Sequence, residues 1–153
     1  MDPEQRTSIE KQFLMETAFI YARTLIEMVG SEATINESRP HMRNAGHAFA
    51  INMLKMFDIK GSDLERIGEV CWLYEEFGGN TGHQEIERTE ERIVRVSTTC
   101  PWKDGHMEVC IGIHEIVPQA ICEEINPDYT CRLTQMMTRG DPLCSWVIEN
   151  KKK

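Results

Sequence analysis

The chain has 153 residues, 41% of them hydrophobic and 27% charged, which suits one globular domain and excludes a disordered chain. Its 25 acidic and 17 basic side chains give a net charge of −8, which argues against a broad nucleic-acid or anionic-membrane surface. No stretch approaches the ~20 apolar residues needed to span a bilayer.

Asp2-Pro3-Glu4-Gln5 reads as an N-cap, a proline at the first helical position and a Gln closing a capping box. Leu14, Ala18, Tyr21, Leu25 and Met28 then recur at helical spacing, and Gly30 can end this first helix. A second helix is expected from near Pro40, with Ala45, Phe49, Met53 and Met56 as its buried stripe and Gly61 as its stop. Ser62-Asp63-Leu64-Glu65 is a capping box opening a third helix, buried along Leu64, Ile67, Cys71 and Tyr74 and ended by Gly78-Gly79.

The period then changes. Glu85 to Arg88 and Arg92 to Thr99 read as strands about a polar turn near Glu90. Alternation places Val94, Val96, Thr98 and Cys100 on one face, expected to be the core face. A fourth helix is expected over Trp102 to Glu124, kinked or divided at Pro118. Tyr129 to Thr138 and Leu143 to Glu149 form a hairpin around Arg139-Gly140-Asp141-Pro142. Pairing Thr138 with Leu143 sets Met137 opposite Cys144 and Gln135 opposite Trp146, and lines one face with Cys131, Leu133, Met137, Cys144, Trp146 and Ile148. The expected class is α+β, a single domain over 1–153. A helical half (about 3–79) and a sheet-plus-helix half (about 84–149) form a helical layer packed on one small antiparallel sheet.

Met1 to Gln5 has no basic region followed by an apolar one, so a cytoplasmic protein is expected, with neither membrane nor nucleic acid as partner. In that reducing compartment the six cysteines stay thiols or metal ligands, and no Cys-x2-Cys pair supports a zinc ribbon. Lys151-Lys152-Lys153 reads as a solvated tail.

Chemistry-bearing residues gather between Cys100 and Cys144. Cys110 and His114 are four apart and share one side of a helix, with His106 a further turn back. Cys100 and Cys144 become neighbours if the two hairpins share a sheet. Cys100, Cys110, His114 and Cys144 would suit zinc or another soft divalent cation. Alternatively Cys100 or Cys110, or Cys144, acts as a nucleophile activated by His114. Against both stands simple packing, since free cysteine is commonly a small buried hydrophobe; Cys71, Cys122 and Cys131 are assigned to the core on that ground. Trp102 could wall a substrate pocket or fill the core, and His47 could reach that pocket or merely pack. Asp141 is a candidate substrate contact that is more simply explained as turn chemistry.

Cys100-Pro101-Trp102, Asn126-Pro127 and Arg139-Gly140-Asp141-x2-Cys144, preceded by Glu85-x-Glu87-Arg88-Thr89 and Val94-x-Val96, resemble the L-2-amino-thiazoline-4-carboxylic acid hydrolase family. The Gly-Asp-x2-Cys hairpin is also similar to 4-vinyl reductase domains, small-molecule-binding modules related in fold to subunits of the TRAPP trafficking complex. The resemblance implies a helical layer on an antiparallel sheet and hydrolytic opening of a cyclic isothiourea. For the 4-vinyl reductase type it implies a zinc site of cysteines and a glutamate, with Cys100 and Cys144 as first and last thiols. The inner Glu and Cys positions of that site are Leu133 and Met136 here, so Cys110 and His114 would have to replace them. Three readings follow: a small hydrolase of a cyclic amidine, a non-catalytic small-molecule- or metal-binding module, or an assembly protein with an apolar homodimer face on its first helix.

Overall fold

The computed structural model describes Thr17, residues 20–78 and 82–100, Cys110 and residues 115–152. A helix over residues 20–29 (α1) is followed by α2 (Ser31–Met56) and α3 (Asp63–Phe77), then by strands β1 (His83–Arg88) and β2 (Arg92–Ser97). Helix α4 (Ile116–Ile125) leads to β3 (Tyr129–Gln135), a short 3-10 turn (Met137–Arg139) and β4 (Cys144–Asn150). The strands form one antiparallel sheet in the order β1-β2-β4-β3 with the helices packed against it, as the α+β expectation held. No described helix is long and apolar enough to cross a membrane.

Gly30 separates α1 from α2 at φ 88°, a left-handed conformation that favours glycine. Of the predicted α1 stripe, Tyr21, Leu25 and Met28 are exposed, and Leu14 and Ala18 lie outside the described residues. Helix α2 starts nine residues before Pro40, which lies inside it. Its buried line is Gly46, Ala50 and Met53, with Phe49 half-buried, whereas Ala45 and Met56 are exposed. The face is set by small residues. A Cβ at Gly46 would stand 2.7 Å from Ala120 Cβ and 2.8 Å from the Val117 carbonyl oxygen, so α2 and α4 cross almost backbone to backbone.

The capping box of α3 is complete. Ser62 Oγ accepts from Glu65 N, and Glu65 Oε2 accepts from Ser62 N at 2.8 Å. Leu64, Ile67 and Cys71 are buried, and Gly78 caps the end. Phe49 packs edge-on against Tyr74 and Phe77, joining α2 to α3. Pro118 falls in the first turn of α4, where no intrahelical donor is needed from it. Of the expected fourth helix only this C-terminal piece and Cys110 are described; residues 101–109 and 111–114 lie outside the description. Asn126 Nδ2 donates to Asp63 Oδ2 at 2.7 Å and ties the end of α4 to the start of α3.

The core face of β2 is the opposite of the expected one. Ile93, Arg95 and Ser97 are buried, while Val94 and Val96 are only half-buried and Thr98 is exposed. Ladder pairing places these residues in rows across the sheet. Arg95 sits beside Glu85 on β1 and Trp146 on β4, and Trp146 beside Leu133 on β3. His83, Ser97 and Cys144 form the next row. The last hairpin pairs Leu133 with Trp146, two residues from the expected register, because β3 ends at Gln135 and the chain turns through Met137–Arg139. A two-residue shift preserves the face. Cys131, Cys144, Trp146 and Ile148 are therefore in the core as expected, with Leu133 and Met137 packed on it.

The α2–α4 crossing gives a stability prediction. Gly46→Ala gains up to about 1 kcal/mol of helix propensity. It also forces a methyl against a backbone carbonyl, and such overpacking costs about 1–3 kcal/mol. The variant should therefore be less stable by roughly 1–2 kcal/mol in urea unfolding; equal or greater stability would show that the helices can separate freely.

Candidate functional site

The core face of the sheet carries two groups of thiols, and none of the six cysteines forms a disulfide. At the start of β4, Cys144 accepts a hydrogen bond from the Cys100 thiol and another from Met137 N at 3.4 Å. These donors hold the Cys144 thiol down at about 7 against the opposing effect of burial. Cys110 lies close enough to feel the Cys144 charge, and its sulfur accepts from Thr138 Oγ1 at 3.2 Å. Burial pushes its thiol up. Glu115 N donates to the Cys110 carbonyl oxygen at 3.0 Å. Of the expected set, Cys100 and Cys144 are paired and Cys110 lies near Cys144, while His114 and Trp102 lie outside the described residues.

Those three thiols do not make up a metal-holding group. Among the described residues, no three His, Cys, Asp or Glu side chains are disposed to hold one ion. Zinc would require His114 to complete the set. His47 faces α4, its Nδ1 3.0 Å from Glu124 Oε2 and its Nε2 3.9 Å from Glu123 Oε2. Asp141 is held in the hairpin, accepting from Met136 N at 2.7 Å and Arg139 Nη2 at 2.6 Å, and these donors lower its carboxyl. Gly140, at φ 95°, allows that turn.

A second feature was missed by the sequence reading. Between α3, the start of α4 and the sheet lies a small cavity lined by Cys71, Trp72 and Glu75, by His83, Arg95 and Trp146, and by Pro118, Cys131 and Ile148. The space open to the centre of a water molecule is about 20 Å³. Arg95 is 5% exposed and forms much of one wall. It donates to the Gly68 carbonyl at 2.6 Å, pairs with Glu85 at 3.2 Å and lies 4.7 Å above the Trp72 ring. The Trp72 ring meets His83 edge-on at 3.9 Å between centroids, and its Nε1 donates to Glu76. Two nitrogens on this lining, His83 Nδ1 and Trp146 Nε1, are buried with no hydrogen-bond partner among the described residues. Buried polar atoms are normally bonded, so each marks a place for a partner. The residues come from six separate elements, and no spacing pattern could have assembled them.

No family model and no curated protein matches the chain. Solved structures do. The phenol-responsive sensory domain of the transcription activator PoxR, determined with phenol, superposes at TM-score 0.67 and 10% identity, covering 91% of this chain and 75% of that one. A trafficking protein particle complex subunit 3 from Naegleria fowleri, covalently bound to palmitic acid, superposes at TM-score 0.65 and 11% identity, covering 94% and 96%. The fold is shared with both. The TRAPP-type layer arrangement implied by the resemblance is therefore found, and the hydrolase family itself gains no support from these matches.

Cys144 offers a direct check. Its folded-state thiol titrates near 7, below the usual 9. Stability from this shift is fully present above about 9 and is lost as pH falls through 7. A two-unit shift sets a ceiling of about 3 kcal/mol, which solvent screening lowers. The deficit of Cys144→Ala relative to the parent, measured by urea unfolding, should thus grow by about 2 kcal/mol between pH 6 and pH 9. A pH-independent deficit would mean that Cys144 only packs.

Proposed function

We propose that this chain is a non-catalytic binding module for a small, mostly apolar molecule carrying one hydrogen-bonding group. The observation that carries this reading is the cavity between α3 and the sheet, where largely apolar and aromatic walls, with Glu75 and Arg95 among them, also carry two unpartnered nitrogens. Few polar groups in an apolar pocket is the usual composition of a small-molecule site. A hydroxyl or carbonyl on the ligand would satisfy Trp146 Nε1 as acceptor and His83 Nδ1 as donor or acceptor. The PoxR domain, of the same fold, is described as phenol-responsive and was solved with phenol, which supplies the first probe.

Size adds a requirement. The cavity admits about one or two waters, so a ring-sized ligand needs the wall to move. Trp72 is the half-exposed part of that wall, held from outside by Glu76. Binding would release it and change tryptophan fluorescence. In titration calorimetry, phenol should bind saturably, and Trp146→Phe, which keeps an aromatic six-membered ring and removes the N–H, should weaken binding about three- to tenfold. No heat and no fluorescence change at millimolar phenol would rule out this ligand class.

One observation favours a second reading. A thiol titrating near neutrality, as Cys144 does, is suited to nucleophilic attack. Cys144, with Cys100 and His114, would then open a cyclic amidine such as 2-aminothiazoline-4-carboxylate, the substrate class that the sequence resemblance implies. Purified protein should turn this compound over, and Cys144→Ser should lose at least about 100-fold in rate. Absence of turnover, with and without added zinc, would reject it.

A further inference from the structure

A second and larger space lies between α2, α4 and β3, the strand at one edge of the sheet. Its volume of about 480 Å³ is in the range of small-molecule sites. Arg39, Arg43 and Arg132 on its walls are exposed, so it is a surface groove that solvent reaches directly. It shares only Cys131 with the cavity below α3, and nothing in the phenol-type reading depends on it.

The walls of this groove are stitched together by one chain of hydrogen bonds and an ion pair. Thr130 Oγ1 and Cys131 N both donate to Gln119 Oε1, at 2.8 and 3.1 Å. Gln119 Nε2 donates to Glu123 Oε1 at 3.3 Å, and Glu123 Oε2 lies 2.7 Å from Arg43 Nη2. The chain runs from the strand edge through α4 to α2, so the three walls hold their spacing before any ligand arrives. Such preorganisation lowers the ordering cost of binding. It also commits Arg43 to Glu123, as Arg132 is committed to Glu149.

Two opposite charges on the lining are left over. Among the described residues Arg39 makes no ion pair or side-chain hydrogen bond, and neither does the Glu115 carboxylate. Glu115 stands at the N-cap of α4 without capping it, and it is half-buried. Protection of the sheet edge accounts for Gln119 at Cys131. It does not account for an uncommitted cation and an uncommitted anion on the walls of one groove. Pro40, Ile116 and Ala120 add apolar surface to the same walls.

We propose that this groove binds a small zwitterion of the amino-acid class with an apolar side chain. Its carboxylate pairs with Arg39, whose planar guanidinium matches a carboxylate, and its ammonium pairs with Glu115. Its side chain lies on the apolar surface of Pro40 and Ile116. A simple anion would leave Glu115 without a counter-charge, and a simple cation would leave Arg39 without one. A zwitterion satisfies both.

The test is an amide NMR titration of the full chain with three probes. L-leucine carries both charges, isocaproate lacks the ammonium and isoamylamine lacks the carboxylate. Leucine should bind saturably at millimolar concentration and shift the signals of Gln119, Thr130 and Cys131, leaving the Trp146 indole signal in place. Each one-charge analogue should bind at least about fivefold more weakly. In Arg39→Gln the preference for leucine over isoamylamine should disappear, and in Glu115→Gln the preference over isocaproate. The proposal is overturned if leucine does not saturate, if the three probes bind alike, if the shifts gather at Trp146 instead of the groove, or if either substitution leaves its preference intact. The first three outcomes are read on the parent chain, and none turns on whether phenol binds.

Discussion

A buried guanidinium organises the helix–sheet interface. Taking an arginine out of water costs several kcal/mol unless it is paired and hydrogen-bonded, and Arg95 obtains its partners from three directions. Glu85 on the neighbouring strand supplies charge, the Gly68 carbonyl on α3 accepts a hydrogen bond, and the Trp72 ring offers its face. The Gly68 contact needs α3 to lie very close to β2. A Cβ at Gly68 would stand 2.6 Å from Ile93 Cδ1, so a side chain there would have to push that methyl aside. Arg95 thereby fixes the height and rotation of α3 over the sheet, and with them the positions of Cys71, Trp72 and Glu75 along one cavity wall.

The same residue explains where sequence reading failed. Along Ile93-Val94-Arg95-Val96-Ser97 the valines favour one face, and Arg95 and Ser97 count against the other. Hydropathy alternation cannot register that Glu85 stands opposite Arg95 until the strand pairing is known. The α2 stripe failed for a related reason. Gly46 and Ala50 have little hydropathy to contribute, and they are buried because small residues let α4 come near. By contrast, the Ser62 capping box and the Cys131–Trp146–Ile148 face were legible. The first depends on four adjacent residues, and the second only on parity, which survives a register shift of two.

The site divides in the same way. Cys100 and Cys144 could be brought together from strand order alone, because one ends a hairpin and the other begins a neighbouring strand. The cavity could not, because its lining needs the tilt of α3 and α4 over all four strands. Local patterns fix faces and ends of elements, whereas a pocket between layers is fixed by how the layers sit on one another.

Burial by itself favours the neutral form of a thiol, and hydrogen bonding lowers two of the buried thiols against it. Within each group one sulfur receives the donors: Cys144 from Cys100 and Met137, and Cys71 from Cys122 and Cys131. The donated hydrogen bonds lower the thiols of Cys144 and Cys71, with Arg95 adding to the effect at Cys71. At 10–11% identity the fold neighbours share the layers that create such a meeting place, and sharing them does not carry over the side chains that meet there. The chemistry of this chain must therefore be sought in its own rows: Arg95 beside Trp146, Ser97 beside Cys144, and Cys71 above Cys131.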